Sequence, residues 1–201
     1  MQILSTVGNP IASTAGSPVI SRAGSQGDLI VSELHGRYYE QAARGNMYRI
    51  VSQAAVTTTA GLATTWTGLA ISNPAGSGVN AVVNLFSVAQ FAVGAAAAIG
   101  IMTGSGAAAG SLVPKNARVD GTTGKVTASA GATIATPVLD IVIGQAGSLA
   151  TTGYGLGAGL VVDLNGSIII PPGFYAASFT SIVTTSALLF GFQWEEVPIA
   201  L

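Results

Sequence analysis

Charge is what this chain most conspicuously lacks. Only 7% of its 201 residues are Asp, Glu, Lys or Arg, against about a quarter in an ordinary soluble domain. Between Arg49 and Lys115 there is no charged residue and no histidine. Charge keeps a freely diffusing protein hydrated and self-repelling. A chain that dispenses with it is expected to keep its outer surface against lipid or against other protein. Cysteine is absent, which excludes disulfides and thiolate metal sites. A formal net charge of −1 gives no basis for a nucleic-acid partner. A long apolar run with basic flanks is missing too. Residues 81–102 are long enough to span a bilayer, but Asn84, Ser87 and Gln90 interrupt them and no Lys or Arg lies close to either end. The opening Met1-Gln2-Ile3-Leu4-Ser5 has no basic segment and no adequate apolar run, so it does not read as a secretory signal.

What is present is small. Nearly half the residues are Ala, Gly, Ser or Thr. Such residues let backbones approach closely but bury little apolar area each, so a core must be built from Val, Ile, Leu and the aromatics. The few charges are uneven, and they divide the chain into three regions. Residues 1–27 form an arm with Asn9-Pro10, Ser17-Pro18 and no helical or alternating pattern. Its Ile3, Leu4, Val7 and Ile11 suit an extended segment laid in a partner's groove, or a loose tail. Residues 28–49 form a charged collar. Within it Glu40 and Arg44 are four apart, acid first, and Gly45-Asn46 follows, which suits a helix of about two turns starting no earlier than Arg37; an extended segment remains open. Residues 50–201 form a neutral body.

The body reads as strands. Residues 47–55 lead into Thr57-Thr58-Thr59, and 79–93 is too long for one flat strand and is expected to bend or bulge. Residues 133–143, 160–164 and 167–170 follow. Asn165-Gly166 between apolar runs signals a type I′ hairpin. Asp120-Gly121-Thr122-Thr123-Gly124 and Pro171-Pro172-Gly173 signal further turns. Leu188, Phe190, Phe192 and Trp194 alternate with Leu189, Gly191, Gln193 and Glu195, one set inward. About ten short strands with turns between them give an all-β chain, a jelly-roll-like β-sandwich with an extended N-terminal arm. The Ala95–Ala98 run favours helix and opposes this reading.

Chemistry is sparse. His35 is the only histidine, and no Gly-x-Ser-x-Gly elbow marks a nucleophile to pair with it. The glycines from Gly153 to Gly159 lack dinucleotide-loop spacing, and Gly121-Thr122-Thr123-Gly124-Lys125 is too short for a phosphate loop. Asp140 and Asp163 are lone acids. Asn165-Gly166-Ser167 fits a glycosylation pattern but reads as a turn. Tyr38 and Tyr39 among arginines suggest base stacking, yet Asp28, Glu33 and Glu40 cancel the field. No catalytic, cofactor or metal residues are therefore expected, and no enzyme activity.

One resemblance stands out. Small virion proteins of tailed bacteriophages carry a segment similar to Glu33-Leu34-His35-Gly36-Arg37-Tyr38-Tyr39-Glu40-Gln41-Ala42 followed by Arg44-Gly45-Asn46. They also end as this chain does, with a turn such as Pro171-Pro172-Gly173, a closing strand and Trp194-Glu195-Glu196-Val197-Pro198. The two segments bracket residues 33–198, and between them the likeness is one of composition. The resemblance implies a structural virion protein of the capsid decoration, or cement, type. It would be made in the host cytoplasm and carried on the capsid surface, with the major capsid protein as partner. It would self-associate, a trimer being the expected state, with no cofactor, nucleic acid or membrane. Tail or head-fibre proteins share the composition and remain an alternative. A small membrane-spanning phage protein using 81–102 is the rival from a different class. The residues expected at a capsid or subunit interface are Ile3, Leu4, Val7 and Ile11 of the arm, Arg37, Tyr38, Tyr39, Glu40 and Arg44 of the collar, and Trp194, Glu195 and Glu196 near the end.

Overall fold

The structure, a computed structural model, describes residues 36–90, 97–106, 110–146 and 159–199. The chain falls into two compact units, Met1–Tyr39 and Glu40–Leu201. The division passes through the expected collar, whose last residues already belong to the first strand. The arm, 1–27, lies outside the described residues.

Helix α1, Tyr39–Ala43, is a single short turn. It ends as its sequence dictates. Gly45 takes φ 78°, its N–H donates to Ala42 O at 3.1 Å, and the Asn46 N–H donates to Gln41 O at 3.0 Å. That pair of bonds is the Schellman stop, which needs a residue tolerant of positive φ. Asn116 Nδ2 donates to Gly45 O at 2.7 Å and fastens this corner to the body.

The strands are β1 (Met47–Val51), β2 (Val56–Thr58), β3 (Thr65–Asn73), β4 (Val79–Gln90), β5 (Ala97–Ser105), β6 (Lys115–Asn116), β7 (Thr127–Thr133), β8 (Val138–Ala146), β9 (Gly159–Ile170), β10 (Phe174–Thr180) and β11 (Thr184–Pro198). One sheet runs β6-β1-β11-β4-β9, with β2 continuing along the edge of β11 that β1 occupies; the other runs β7-β3-β10-β5-β8. Set aside β2 and the short insertion β6–β7, and eight strands remain. They pair first with last (β1 with β11), second with seventh (β3 with β10), third with sixth (β4 with β9) and fourth with fifth (β5 with β8), all antiparallel. This nesting is one long hairpin rolled over into two sheets, which is the jelly roll. The expected all-β, jelly-roll sandwich is the fold of the body.

The closing strand shows why the sheets stack. Leu188, Phe190, Phe192 and Trp194 are all buried. Phe86 of β4 packs between Phe190 and Phe192, with ring centroids 6.1 and 4.9 Å away. Across the sandwich, Leu69, Ile71, Ile99 and Ile101 belong to the same cluster. A second cluster lies on the second sheet and includes Trp66, Met102, Ile134, Tyr175 and Phe179. The Tyr175 hydroxyl donates to Ala135 O at 2.9 Å, holding the β7–β8 link against that sheet.

Two expectations need correction, and the rival reading of 81–102 is not met. Asn165 and Gly166 do take positive φ, 53° and 73°, as a type I′ turn would require, but the chain does not reverse there. Strand β9 pairs with β4 on both sides, Asp163 opposite Leu85 and Ile168 opposite Val83. The extra residues loop out as a bulge, held by the Asn165 N–H donating to Asp163 Oδ1 at 2.9 Å. The strand expected over 133–143 is broken, because Thr136 has φ 42° and β7 and β8 lie at opposite ends of their sheet. Residues 81–102 are not a helix: they are divided between β4 and β5, which lie in different sheets, with 91–96 outside the described residues. Among the described residues no helix is long and apolar enough to cross a membrane. The bend expected within 79–93 is present, as a bulge at Asn84 in the pairing of β4 with β11.

Candidate assembly surfaces

The charged collar and the end of β11 supply one set of candidate residues. Arg44 Nε lies 3.4 Å from Glu40 Oε2, an exposed pair one helical turn apart. Such a pair adds little stability and presents both signs at the surface. Glu195 is on the same side of the molecule. Burial raises its pKa above the ordinary value of 4.5, and the nearby Arg44 charge pulls the other way. The structure therefore brings Glu40, Arg44 and Glu195 into one mixed-charge patch. Arg37 lies over the Tyr38 ring, 5.5 Å from its centroid, and Tyr39 is exposed. Ile3, Leu4, Val7, Ile11 and His35 are outside the described residues.

Two candidates belong to the interior instead. Trp194 is 0% exposed and stacks on Tyr48 with centroids 6.1 Å apart. Its place in the inward alternation of β11 decides this. Glu196 is 7% exposed because it is turned to a structural task. Its Oε1 accepts the N–H groups of Lys125 and Val126, each at 2.9 Å, and its Oε2 also accepts from Lys125 N at 2.9 Å. The Gly124-Lys125 turn thus points its amides at a protein carboxylate. Tyr48 feels that burial and that charge, in that order, and its pKa is raised.

Two flanks of the sandwich carry what the sequence did not single out. At one end of the sheets, β8 and β9 are edge strands. A groove between them is lined by Val138, Asp140, Ile169 and Phe174, all exposed. Asp140 reaches this groove because it is a bulge residue: Ile101 pairs with Ile141 and Met102 with Leu139, so Asp140 has no opposite number. A bulge re-aims a side chain in this way. Farther along the same edges Val142 and Val161 are 61% and 69% exposed. Edge strands are usually protected by lysine, proline or a covering segment, and these carry one acid each.

At the opposite end, β1 and β6 place Arg49 directly across from Lys115. Both side chains are exposed. Like charges at directly opposed positions repel. They line one groove with Val51 and Val113, which are 49% and 65% exposed. Nearby, Arg118 donates to Asp120 through Nε at 2.7 Å and Nη2 at 3.0 Å. That bond holds the Asp120 carboxyl below its ordinary pKa, so this cation already has its anion.

Among the described residues no three His, Asp or Glu side chains converge on a point where a metal ion would sit. The surfaces combine exposed valines with single charges. No protein-family model, no curated protein and no solved structure matches this chain.

Proposed function

We propose that this chain is a structural virion protein of the capsid decoration type, which binds the outside of a tailed-bacteriophage head and stabilises the shell. Its partners are the major capsid protein and further copies of itself, with a trimer as the assembled state. The observation that carries this reading is the edge at β8 and β9, where Val138, Val142, Val161 and Ile169 are each more than half exposed. A free monomer with such edges risks aggregation; a subunit held in a shell has them covered. The scarcity of charge works in the same direction, because neutral surfaces associate without desolvating ions. The jelly roll is compatible with this role but also hosts sugar-binding and enzymatic domains, so the fold alone does not decide. The collar and the Trp194 to Pro198 ending supply the resemblance to phage virion proteins. Many weak contacts repeated over a lattice add up to tight retention.

The test is direct. Purified protein is added to shells that lack it, and the washed particles are analysed by mass spectrometry and averaged density. Regular occupancy on the head exterior is the expected result. Retention only on tails or fibres would move the protein to that part of the virion, and no retention on any particle would overturn the proposal.

A further inference from the structure

We infer that copies of this chain join head to tail, the β8–β9 flank of one protomer against the β1–β6 flank of its partner. The inference rests on the self-association in the proposed function and names the surfaces that carry it. Three observations converge. The exposed Arg49 and Lys115 face each other across a strand pair, an arrangement that costs energy unless an anion sits between them. A carboxylate, Asp140, is delivered by a bulge into a groove at the far end of the sheets. Each charge stands among exposed apolar side chains, Val51 and Val113 at the basic end, Val138 and Ile169 at the acidic end. One end offers what the other lacks.

An acid seated between two cations, ringed by valines that exclude water, is how charge fixes register while apolar area holds the contact. Because the two surfaces differ, the contact is heterologous. With a suitable rotation it closes into a ring such as a trimer; without one it runs on as a filament. A self-complementary dimer made through the β8–β9 flank alone would bring Asp140 towards Asp140 and leave Arg49 and Lys115 unrelieved.

The experiment is sedimentation velocity on the full chain and two charge-reversed variants, Asp140→Lys and the double change Arg49→Glu with Lys115→Glu. Circular dichroism verifies the fold of each. Wild type is expected to sediment as an oligomer. Each variant alone faces like charge at every contact, and its dissociation constant should rise about tenfold or more. A chain carrying all three reversals should reassemble, since every contact, in a trimer as in a filament, then joins opposite charges again. If a reversal unfolds the protein, the neutral Asp140→Asn carries the test: its oligomer should be weaker and should lose much of the salt sensitivity of wild type. Oligomers unaffected by any of these changes would overturn this interface and leave shell binding standing. A triple variant that stays folded but does not reassemble would overturn it as well. A wild-type monomer would overturn it together with the self-association on which it rests, while shell occupancy would still be measured separately.

Discussion

Glu196 is the residue whose replacement should speak most plainly about how this sandwich is held. It sits near the end of β11 with its carboxylate facing the Lys125 and Val126 amides at 2.9 Å, and it is 7% exposed. Hydrogen bonds to a charged acceptor are worth about 1.5–3 kcal/mol each, and neutral ones about 0.5–1.5. Glu196→Gln keeps the shape and one acceptor oxygen but removes the charge. Over two donors the loss is about 2 kcal/mol, offset in part by the lower cost of burying an amide. Glu196→Ala leaves both N–H groups without an acceptor, at about 1–3 kcal/mol each, and adds a void. For a chain of this size 1 kcal/mol moves the melting temperature by about 2–4 °C. The glutamine variant should therefore melt below wild type by up to roughly 4–8 °C, and the alanine variant lower still. Differential scanning calorimetry at one fixed protein concentration is the assay, because self-association would shift the midpoint by mass action. A glutamine variant melting with wild type, or an alanine variant no worse than glutamine, would refute the view that this carboxylate fastens the 121–126 turn to the closing strand.

Three further outcomes are expected. Burial raises the Glu195 pKa in the folded chain, so in the window above the ordinary value the native state binds more protons than the unfolded one, and stability falls as pH rises through the folded pKa; the melting-temperature difference between Glu195→Gln and wild type should grow in the variant's favour from acid towards neutral pH, and a constant difference would count against the shift. Phe86→Ala removes the ring between Phe190 and Phe192 and should cost about 3–5 kcal/mol, read as the midpoint of urea unfolding. Deleting residues 1–27 should leave the circular dichroism of the sandwich unchanged, since the described strands begin at Met47, and should lower occupancy on shells; equal occupancy would make the arm a passive tail.

Much of the fold was legible because its signals were local. The alternation from Leu188 to Trp194, the Pro171-Pro172-Gly173 turn and the Gly45 stop each depend on a few neighbouring residues, and each is where the sequence indicated. The misread segments depended on partners far along the chain. Asn165-Gly166 has hairpin chemistry, yet β4 accepts the chain on both sides of it, so the same positive φ values serve a bulge. The break at Thr136, by contrast, precedes Pro137, which cannot continue a ladder and was the local signal for it, and the Tyr175 hydroxyl holds the link to the second sheet through Ala135 O. The candidate surfaces divide the same way. Glu40 and Arg44 were visible as a helical pair. Glu196 looked like an exposed terminal acid because the amides it serves lie some seventy positions earlier. Arg49 and Lys115 seemed only to bound the charge-free run, until the rolled sheet set them opposite each other.

The many small residues also have work inside the sandwich. A side chain on Gly100 would run into the Ile141 carbonyl, where β8 bulges against β5, and one on Gly68 would meet the Trp66 ring. Gly191 likewise clears space for Ser87. Part of the glycine content therefore answers to packing between neighbouring strands. The charge deficit has no such internal explanation, because a sandwich can cover its outer faces with lysine and glutamate at little cost to its core. It is the outer valines, at 138, 142 and 161 on one flank and 51 and 113 on the other, that stand where those charges would ordinarily be. They lie at the two ends of the sheets, where the proposed head-to-tail contact would cover them. The composition thus bears on function through these outward positions, and the inward ones account for the fold.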